Sequence, residues 1–305
     1  MLQTCPRSFE YSYLRQRVKS SDRPALNFGG ALHLALAYRY NQCGSNAVTD
    51  EQEQAINEVL SQHFLSNPQP IEEYRNLEYA QQTIKGYNSL YGNEPFTVLK
   101  TGKGNPFVEA SFSFPLGSVQ NTPVYFSGRI DLGFSNNEGE WILDHKTSSQ
   151  FGQSFEDEMA ITPQLIGYCW AFQQAFGRKP LGYWVNAIRS RPPTKDEKRK
   201  MEFGEKGKPR TDNYKRLYYY VTDDMIAEWK QDTIELVSTY LWHHDKAFFP
   251  RHKKWCVGKY GQCQYYSVCS LPRERREWAL SQNVFMDNTW SPLNSAKKPN
   301  EQDKL

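Results

Sequence analysis

The sequence predicts an α+β protein in which a mixed central sheet is flanked by helices. Apolar residues recur at helical spacing over most of the first 95 residues, and from Pro106 the period of the pattern changes to two. Helical and strand patterns then alternate to about residue 247. We therefore expect four segments: a helical segment 1–95, a strand-rich core 96–222, a C-terminal segment 223–280 with a helix and several cysteines, and a polar tail 281–305 that is disordered.

Local signals mark the ends of several predicted elements. Thr49 can cap the helix that follows it, Thr162 precedes a proline at a first helical position, and Asn136–Gly139 has turn composition between two apolar runs. The predicted helices cover residues 6–20, 28–42, 50–65, 71–91, 163–176 and 223–247. The predicted strands begin at Val108 and cover residues 123–135, 140–148, 181–190 and 215–222.

Composition limits the class of protein. Of the 305 residues, 38% are hydrophobic and 14% aromatic, which suffices for a sizeable core, and no run approaches the ~18 apolar residues of a membrane span. Residues 1–17 lack the apolar stretch of a secretory signal, so we expect a cytoplasmic protein in a reducing environment, with no membrane partner. The net charge of +3 is too small to indicate an anionic partner by itself.

One predicted hairpin carries three ionisable groups on one face. A turn centred between Asn137 and Glu138 places Asp131 opposite Asp144, with Cβ atoms roughly 4.5–5.5 Å apart, and Lys146 projects to the same face. Opposed like charges destabilise a sheet, so two acids inside otherwise apolar strands indicate a cation between them, and magnesium suits carboxylate oxygens. The alternative is a solvated sheet face on which Lys146 neutralises the two acids.

Side chains on other predicted elements could join this face. His33 follows a pair of glycines in a predicted helix, and glycines let a backbone approach another element closely. Gln164 and Tyr168 lie four residues apart on the helix after the hairpin and therefore share one side of it. Taken alone, each is also compatible with an ordinary helix surface. Glu109, on the polar face of the preceding strand, could be a further acid, although we expect it to be exposed.

The order of these motifs resembles the PD-(D/E)XK nuclease superfamily, and specifically its RecB-like exonuclease branch. The motifs are Gly-x-x-x-His, Gly-Arg-Ile-Asp, Asp-x-Lys and Gln-x-x-x-Tyr, spread over residues 29–168, with isoleucine where the superfamily's name has proline. The resemblance implies a restriction-endonuclease-like fold with a nuclease core over 96–222. It also implies metal binding by His33, Asp131 and Asp144, and catalytic roles for Asp131, Asp144, Lys146, Gln164 and Tyr168.

The resemblance further implies a reaction and a setting. Bound Mg²⁺ or Mn²⁺ would activate water for attack on a DNA phosphodiester, and Lys146 would orient or deprotonate that water. The expected enzyme is a deoxyribonuclease of the exonuclease type, active in DNA repair, recombination or phage DNA metabolism in a bacterium or a phage-infected cell. Its expected partners are DNA with a single-stranded end and a helicase or recombination protein.

Four cysteines form a second candidate metal site. Six residues separate Cys256 from Cys263, five separate Cys263 from Cys269, and Cys5 lies near the other end of the chain. Four thiolates suit a 4Fe–4S cluster or a tetrahedral zinc ion, and spacing alone does not decide between them. AddB-like and CRISPR adaptation nucleases of the same branch are similar in having one cysteine before the nuclease core and three after it, usually with separations of two and five. This similarity implies a 4Fe–4S cluster.

Positive charge is concentrated in two stretches. Between Arg189 and Arg216 there are eleven Lys or Arg residues and five Asp or Glu residues, and Arg251–Lys254 adds a second basic patch. Such patches, interleaved with aromatic residues, are typical of a groove that follows a nucleic-acid strand, although a solvated hairpin is the alternative for the first stretch. The candidate DNA-binding residues are Arg189, Arg191, Lys198, Arg199, Lys200, Lys253 and Lys254.

Two other functions remain open from the sequence. The chain could be a catalytically inactive DNA-binding subunit of an end-processing complex that keeps the nuclease fold. It could also be a zinc-stapled nucleic-acid-binding protein, if the acidic hairpin is coincidental. Metal content and a nuclease assay distinguish all three.

Overall fold

The computed structural model describes residues 2–19, 24–68, 74–191, 213–258 and 261–287. Over these residues the chain forms two compact units. The central unit comprises Arg23–Phe114 and Phe126–Trp229, and the terminal unit comprises Met1–Asp22, Pro115–Tyr125 and Lys230–Lys297. Cys5 therefore belongs to the same unit as the C-terminal cysteines, whereas the predicted division places it with His33.

The predicted helices 28–42, 50–65, 163–176 and 223–247 begin and end within about four residues of helices in the structure, whereas the predicted helix 71–91 begins at Leu77 and the helix Gln153–Ala160 was not predicted. Thr49 and Gln52 form a reciprocal capping box, and the helix Pro163–Phe176 starts at a proline and is capped by Gly177, whose φ is +68°. No helix of the described ranges is long and apolar enough to cross a membrane. The α-helices of the described residues are α1 Pro6–Phe9, α2 Pro24–Cys43, α3 Asp50–Ser66, α4 Leu77–Leu90, α5 Gln153–Ala160, α6 Pro163–Phe176, α7 Asp223–Asp245, α8 Tyr266–Cys269 and α9 Arg276–Leu280.

The central sheet is mixed, which confirms the predicted fold class. Its strands lie in the order Thr97–Val98 (β2), Thr122–Ser135 (β4), Glu140–Ser148 (β5), Gly182–Arg189 (β6) and Tyr214–Tyr220 (β7), and Val108–Val119 (β3) also pairs with β4. Strands β4 and β5 are antiparallel, β5 and β6 parallel, and β6 and β7 antiparallel. Helices α5 and α6 form the crossover between the parallel strands. The strands are β1 Arg17–Lys19, β2 Thr97–Val98, β3 Val108–Val119, β4 Thr122–Ser135, β5 Glu140–Ser148, β6 Gly182–Arg189, β7 Tyr214–Tyr220, β8 Val257–Gly258, β9 Gly261–Gln262 and β10 Phe285–Asp287.

The β4–β5 hairpin has the register predicted from its turn. The Asn136 side chain accepts the backbone N–H groups of the two residues at the end of the turn, at 3.0 and 3.1 Å. Pairing runs from the turn to Leu132 opposite Leu143 and stops there. Asp131 and Asp144 are the next residue on each strand, so the two carboxylates stand where the paired hairpin ends.

Helices α2, α3 and α4 pack together as a layer of the central unit. Each apolar side chain buried there contributes roughly 1.5–3 kcal/mol relative to an exposed one, so this layer fixes the position of α2 and of His33 on it. The fully buried apolar side chains of the layer include Phe28, Leu32, Leu36, Ile56, Leu60 and Tyr87.

The N-terminal segment departs from the predicted helix 6–20, which is wrong beyond Leu14. The α1 helix continues as a π-helix over Glu10–Leu14, Gln16 adopts a φ of +52°, and the chain then forms β1. Strand β1 pairs antiparallel with β10, and the Arg17 guanidinium donates to the Phe285 carbonyl at 2.9 Å. This pairing joins residues about 270 positions apart, and a local periodicity does not reveal it.

Strand β10 lies in the segment 281–305, for which the sequence predicts disorder. The Phe285 side chain is buried and stacks on Tyr265 with ring centroids 5.8 Å apart. The described chain is therefore packed to Asp287, and residues 288–305 lie outside the described residues.

Candidate active site

Helix α2 approaches the end of β5 closely because of a glycine. A Cβ atom at Gly29 would lie 3.1 Å from the Thr147 hydroxyl oxygen, a tighter approach than most side chains accept. His33, one turn further along α2, then faces the end of the hairpin. The pair of glycines in the sequence predicts this kind of approach, and the structure contains it.

Three potential metal ligands meet in front of the hairpin. One ligand atom from each of His33, Glu109 and Asp131 lies within 4.8 Å of the others. His33 Nδ1 is 3.3 Å from Asp131 Oδ2 and 3.9 Å from Glu109 Oε1. The backbone N–H of His145 donates to the same Asp131 oxygen at 2.8 Å. An imidazole with two carboxylates is a donor set that suits Mn²⁺ and, through its oxygens, Mg²⁺.

Glu109 joins the candidate site, although the sequence predicts an exposed position for it. We expected it to be exposed, but its side chain is only 19% exposed and its carboxylate is 2.6 Å from Arg129 Nε. Its φ of +50° is unusual for a residue with a side chain and costs on the order of 1–3 kcal/mol, as is common at functional sites. The available signal was that Glu109 is the sole charged residue of the twelve in β3.

Asp144 and Lys146 form the other half of the site. Asp144 is 2% exposed, and Lys146 Nζ lies 2.7 Å from its Oδ2 atom. The predicted ligand set was His33, Asp131 and Asp144, whereas the group that meets within 4.8 Å contains Glu109 in place of Asp144. The role of Asp144 as a ligand stays a prediction. Asp144 lies two residues before Lys146 on the same strand. In this structure the Lys146 ammonium group neutralises the Asp144 carboxylate.

The ionisable groups perturb one another strongly. Burial raises the pKa of Asp144 to about 6, and the neighbouring Asp131 carboxylate adds to this effect while Lys146 opposes it. Burial also disfavours the charged form of Asp131, but the nearby His33 outweighs it and holds the pKa of Asp131 well below its ordinary value. Burial would lower the pKa of His33, yet the carboxylates of Asp131 and Glu109 raise it well above its usual range. A divalent cation here would favour ionised Asp144.

Gln164 and Tyr168 extend the site from helix α6. Lys146 Nζ donates to Gln164 Oε1 at 3.0 Å, and Gln164 Nε2 donates to the Tyr168 hydroxyl at 3.0 Å. The Tyr168 ring lies against Gly128, where a Cβ atom would come within 2.8 Å of it. The structure thus brings the Gln-x-x-x-Tyr pair to the lysine, as the motif order predicts.

The candidate DNA-binding residues are divided among three places. Arg189 ends β6 with its guanidinium 4.8 Å from the centre of the Phe151 ring, and the Arg191 carbonyl accepts from Tyr79 at 3.2 Å. Lys253 and Lys254 are exposed in a 3-10 turn of the terminal unit. Three further candidates, Lys198, Arg199 and Lys200, lie outside the described residues.

The four predicted metal-binding cysteines line one cavity of the terminal unit. Arg251, Trp255, Tyr265 and Tyr266 complete its wall with Ser8. Burial raises the pKa of the Cys269 thiol, and Cys5, Cys256 and Cys263 act in the same direction. All four are free thiols. The remaining two cysteines, Cys43 and Cys169, are buried in the central unit.

Backbone contacts bring Cys5 to the C-terminal cysteines. The N–H of Arg7 donates to the Pro250 carbonyl at 3.1 Å, and its guanidinium donates to the Phe249 carbonyl at 3.0 Å. His252 Nδ1 lies 2.9 Å from the Thr4 carbonyl. These contacts flank Cys5 on both sides, so the cavity does not depend on the thiols alone for its shape.

The mixed sheet and the acidic hairpin are consistent with a restriction-endonuclease-like fold. The family model of the PD-(D/E)XK nuclease superfamily matches residues 1–270, and the chain belongs to this superfamily. Membership implies a phosphodiester hydrolase whose substrate is nucleic acid.

Comparison with solved structures gives weaker similarities. The protein SSO0001 is 14% identical with a TM-score of 0.36, over 80% of this chain and 84% of that one. A protein from Eubacterium rectale named "Putative exonuclease" is 13% identical with a TM-score of 0.48, over 83% of this chain and 79% of that one. Similarities of this size carry no conclusion about substrate or mechanism. No curated protein sequence matches the chain.

Proposed function

We propose that the chain is a divalent-metal-dependent deoxyribonuclease of the exonuclease type. The observation that carries this proposal is that motifs spread from residue 29 to residue 168 converge through direct contacts. His33 and Glu109 approach Asp131, and the N–H of His145 links Asp131 to the strand of Asp144 and Lys146. Lys146 in turn contacts both Asp144 and the glutamine of α6. A chance match of short motifs would not place these groups in one site.

Each side chain has a role in this reaction. When bound, Mg²⁺ or Mn²⁺ supplies Lewis-acid charge and lowers the pKa of water. His33, Asp131 and Asp144 hold the ion, and Glu109 is a further ligand within reach. Lys146, anchored between Asp144 and Gln164, presents a positive charge where negative charge develops on the phosphate and orients the attacking water.

The substrate we infer is a DNA end with a single-stranded part. The order of histidine, two aspartates, lysine, glutamine and tyrosine supports the RecB-like exonuclease branch. Exposed Lys253, Lys254 and Trp255 in the terminal unit offer charges for phosphates and a ring on which a base can stack. Such an enzyme would act in DNA repair, recombination or phage DNA metabolism, with a helicase or recombination protein as partner.

We further propose that the cysteine cavity holds a 4Fe–4S cluster. Four sulphurs at ~2.3 Å from one zinc ion lie about 3.8 Å apart. Among the described residues, the set of three or more ligand atoms that meets within 4.8 Å is the one around His33, and it contains no cysteine. The four cysteines, all within the described residues, share one cavity wall, yet no three of their sulphurs meet within 4.8 Å, and this supports the larger cluster over a single zinc ion.

A cleavage assay tests the enzymatic proposal. Protein purified without oxygen is incubated with end-labelled single-stranded and double-stranded DNA, with Mn²⁺, Mg²⁺ or EDTA. We expect metal-dependent shortening from a DNA end that Lys146→Ala abolishes and Lys179→Ala retains, since Lys179 pairs with Asp223 away from the motifs. Wild-type protein that binds DNA but leaves it uncut with every metal would contradict the proposal and favour the inactive DNA-binding subunit.

A further inference from the structure

A buried circuit of hydrogen bonds lies behind the acidic site, in the central unit. It begins at Arg216, whose guanidinium holds the Glu94 carboxylate with two bonds of 2.6 and 2.7 Å. The Glu94 side chain is fully buried and that of Arg216 is 14% exposed. Arg216 is therefore not available to DNA, although it lies in the basic stretch of the sequence. A buried pair of this kind needs further polar partners, and Asn186, Tyr87 and Tyr40 supply them.

Arg216 and Glu94, at the two ends of the circuit, determine which group donates and which accepts in every hydrogen bond between them. A guanidinium donates only, and a carboxylate accepts only. Arg216 Nε lies 3.4 Å from Asn186 Oδ1, so the amide NH₂ of Asn186 faces the opposite way. It donates to His145 Nδ1 at 2.9 Å and to the Tyr87 hydroxyl at 2.7 Å.

The hydrogen bonds from Tyr87 through Tyr40 to Glu94 complete the assignment of donors and acceptors. The Tyr87 hydroxyl accepts from Asn186 and also from Arg216 Nη2 at 3.0 Å, so its own proton points to the Tyr40 hydroxyl, 2.7 Å away. Tyr40 donates to Glu94 Oε1 at 2.6 Å. His145 Nδ1 is left as an acceptor, which places the proton of the neutral ring on Nε2.

His145 connects this circuit to the acidic site. Its ring centroid lies 5.8 Å from that of His33 and 5.9 Å from that of Tyr40, two residues seven positions apart on α2. Its backbone N–H holds the Asp131 carboxylate. The position of His145 therefore bears on two of the proposed ligands. It bears on His33 through the ring contacts with α2, and on Asp131 of β4 through its own backbone N–H.

We propose that Asn186 is a positioning residue for the metal site. Its amide donates to His145 Nδ1 and thereby fixes the His145 ring between α2 and β5, which keeps the proposed ligands in place. This inference rests on the proposed function, because it assumes that His33 and Asp131 bind a metal ion. Asn186 itself lies on β6, and the hydrogen bonds of its side chain described above go to His145, Tyr87 and Arg216. Partners of this kind typically change metal affinity by about 10- to 100-fold when they are removed.

The test is Mn²⁺ binding to full-length Asn186→Asp, followed by electron paramagnetic resonance without DNA. The substitution keeps the size of the side chain and the oxygen that accepts from Arg216. It replaces the amide NH₂ that donates to His145 Nδ1 with a carboxylate oxygen, which can only accept. We expect the Mn²⁺ dissociation constant to rise about 10- to 100-fold, and the Mn²⁺ needed for half-maximal cleavage to rise with it while the KM for DNA stays unchanged. The control is Asn88→Asp, since Asn88 already accepts from Arg39 at 3.1 Å and an aspartate preserves that bond.

Tyr87→Phe serves as a second variant if Asn186→Asp does not fold. It keeps the ring but removes the hydroxyl that Asn186 also contacts, and it should weaken Mn²⁺ binding less than Asn186→Asp. Unchanged Mn²⁺ affinity in the folded variant, with active wild-type enzyme, overturns the positioning role and leaves the nuclease proposal standing. Wild-type protein that neither binds Mn²⁺ nor cleaves DNA overturns the proposed function and this inference together.

Discussion

The acidic site and the cysteine cavity are organised in opposite ways. In the acidic site the charged groups are already paired with one another, and a buried polar circuit holds the surrounding backbone. In the cavity the four thiols are free, and bonds between neighbouring backbone and side-chain groups bring them together. A divalent ion at the first site would take over carboxylates that His33 and Lys146 already neutralise, whereas a cluster at the second site would link four cysteines that form no disulfide. We therefore expect loss of the two metals to have different consequences.

The largest effect should come from the lysine of the acidic site. Lys146→Ala removes the charge that contacts Asp144 and Gln164, so we expect cleavage to fall by about 10²- to 10⁴-fold while DNA binding persists. Single-turnover cleavage of end-labelled DNA measures this, with Lys179→Ala as the charge-matched control. Asp144→Ala should give a loss of similar size. Activity within a few-fold of wild type in both variants would show that the chemistry occurs elsewhere.

The second-largest effect should come from the cysteines of the cavity. Replacing any one of Cys5, Cys256, Cys263 or Cys269 by serine should remove the iron and lower the melting temperature of the protein. Some nuclease activity should survive, because the acidic site belongs to the other unit. Iron content and visible absorbance after anaerobic purification are the measurements, and Cys43→Ser and Cys169→Ser are the controls. Colourless protein with one zinc ion per chain would reject iron and keep the shared site.

A third prediction concerns Glu109, which the sequence predicts to be exposed. Because Glu109 lies with His33 and Asp131 within 4.8 Å, Glu109→Gln should weaken Mn²⁺ binding about tenfold and leave iron unchanged. Isothermal titration with Mn²⁺ measures the affinity. The control is Glu156→Gln, since Glu156 pairs with Lys215 outside the site. If Glu109→Gln leaves the Mn²⁺ affinity unchanged while Asp144→Asn lowers it, the ion is held by His33, Asp131 and Asp144, the ligands predicted from the sequence.

These regions also differ in how much the sequence could predict. The register of the hairpin follows from a local turn, so the positions of Asp131 and Asp144 at its end could be derived from residue numbers alone. The position of Glu109 could not, because it depends on a left-handed backbone conformation within β3. The pairing of β1 with β10, which closes the terminal unit, joins segments that carry no local signal for each other. The circuit from Arg216 to His145 likewise depends on three strands and two helices that meet only in the folded chain.

The smallest effect is a pH dependence of the metal-free protein. The folded state raises the pKa of Asp144 from 3.8 to about 6, so it binds more protons than the unfolded state in this interval. The free energy of unfolding should therefore fall as pH rises from 4 to 6, by on the order of 1–3 kcal/mol. His33, whose pKa is also raised, acts in the same direction at higher pH. Urea titrations with EDTA measure this, and Asp144→Asn or added Mn²⁺ should flatten the profile. A stability that rises over this interval would contradict the charge assignment.

The central claim is that two regions of one chain hold two different metals independently. Elemental analysis of three anaerobically purified proteins, each dialysed against Mn²⁺, tests it most directly: wild type, Asp131→Asn and Cys263→Ser. We predict iron and manganese in the wild type, iron without manganese in Asp131→Asn, and manganese without iron in Cys263→Ser. Loss of both metals in either variant while the protein stays folded, or iron that persists in Cys263→Ser, would contradict the account.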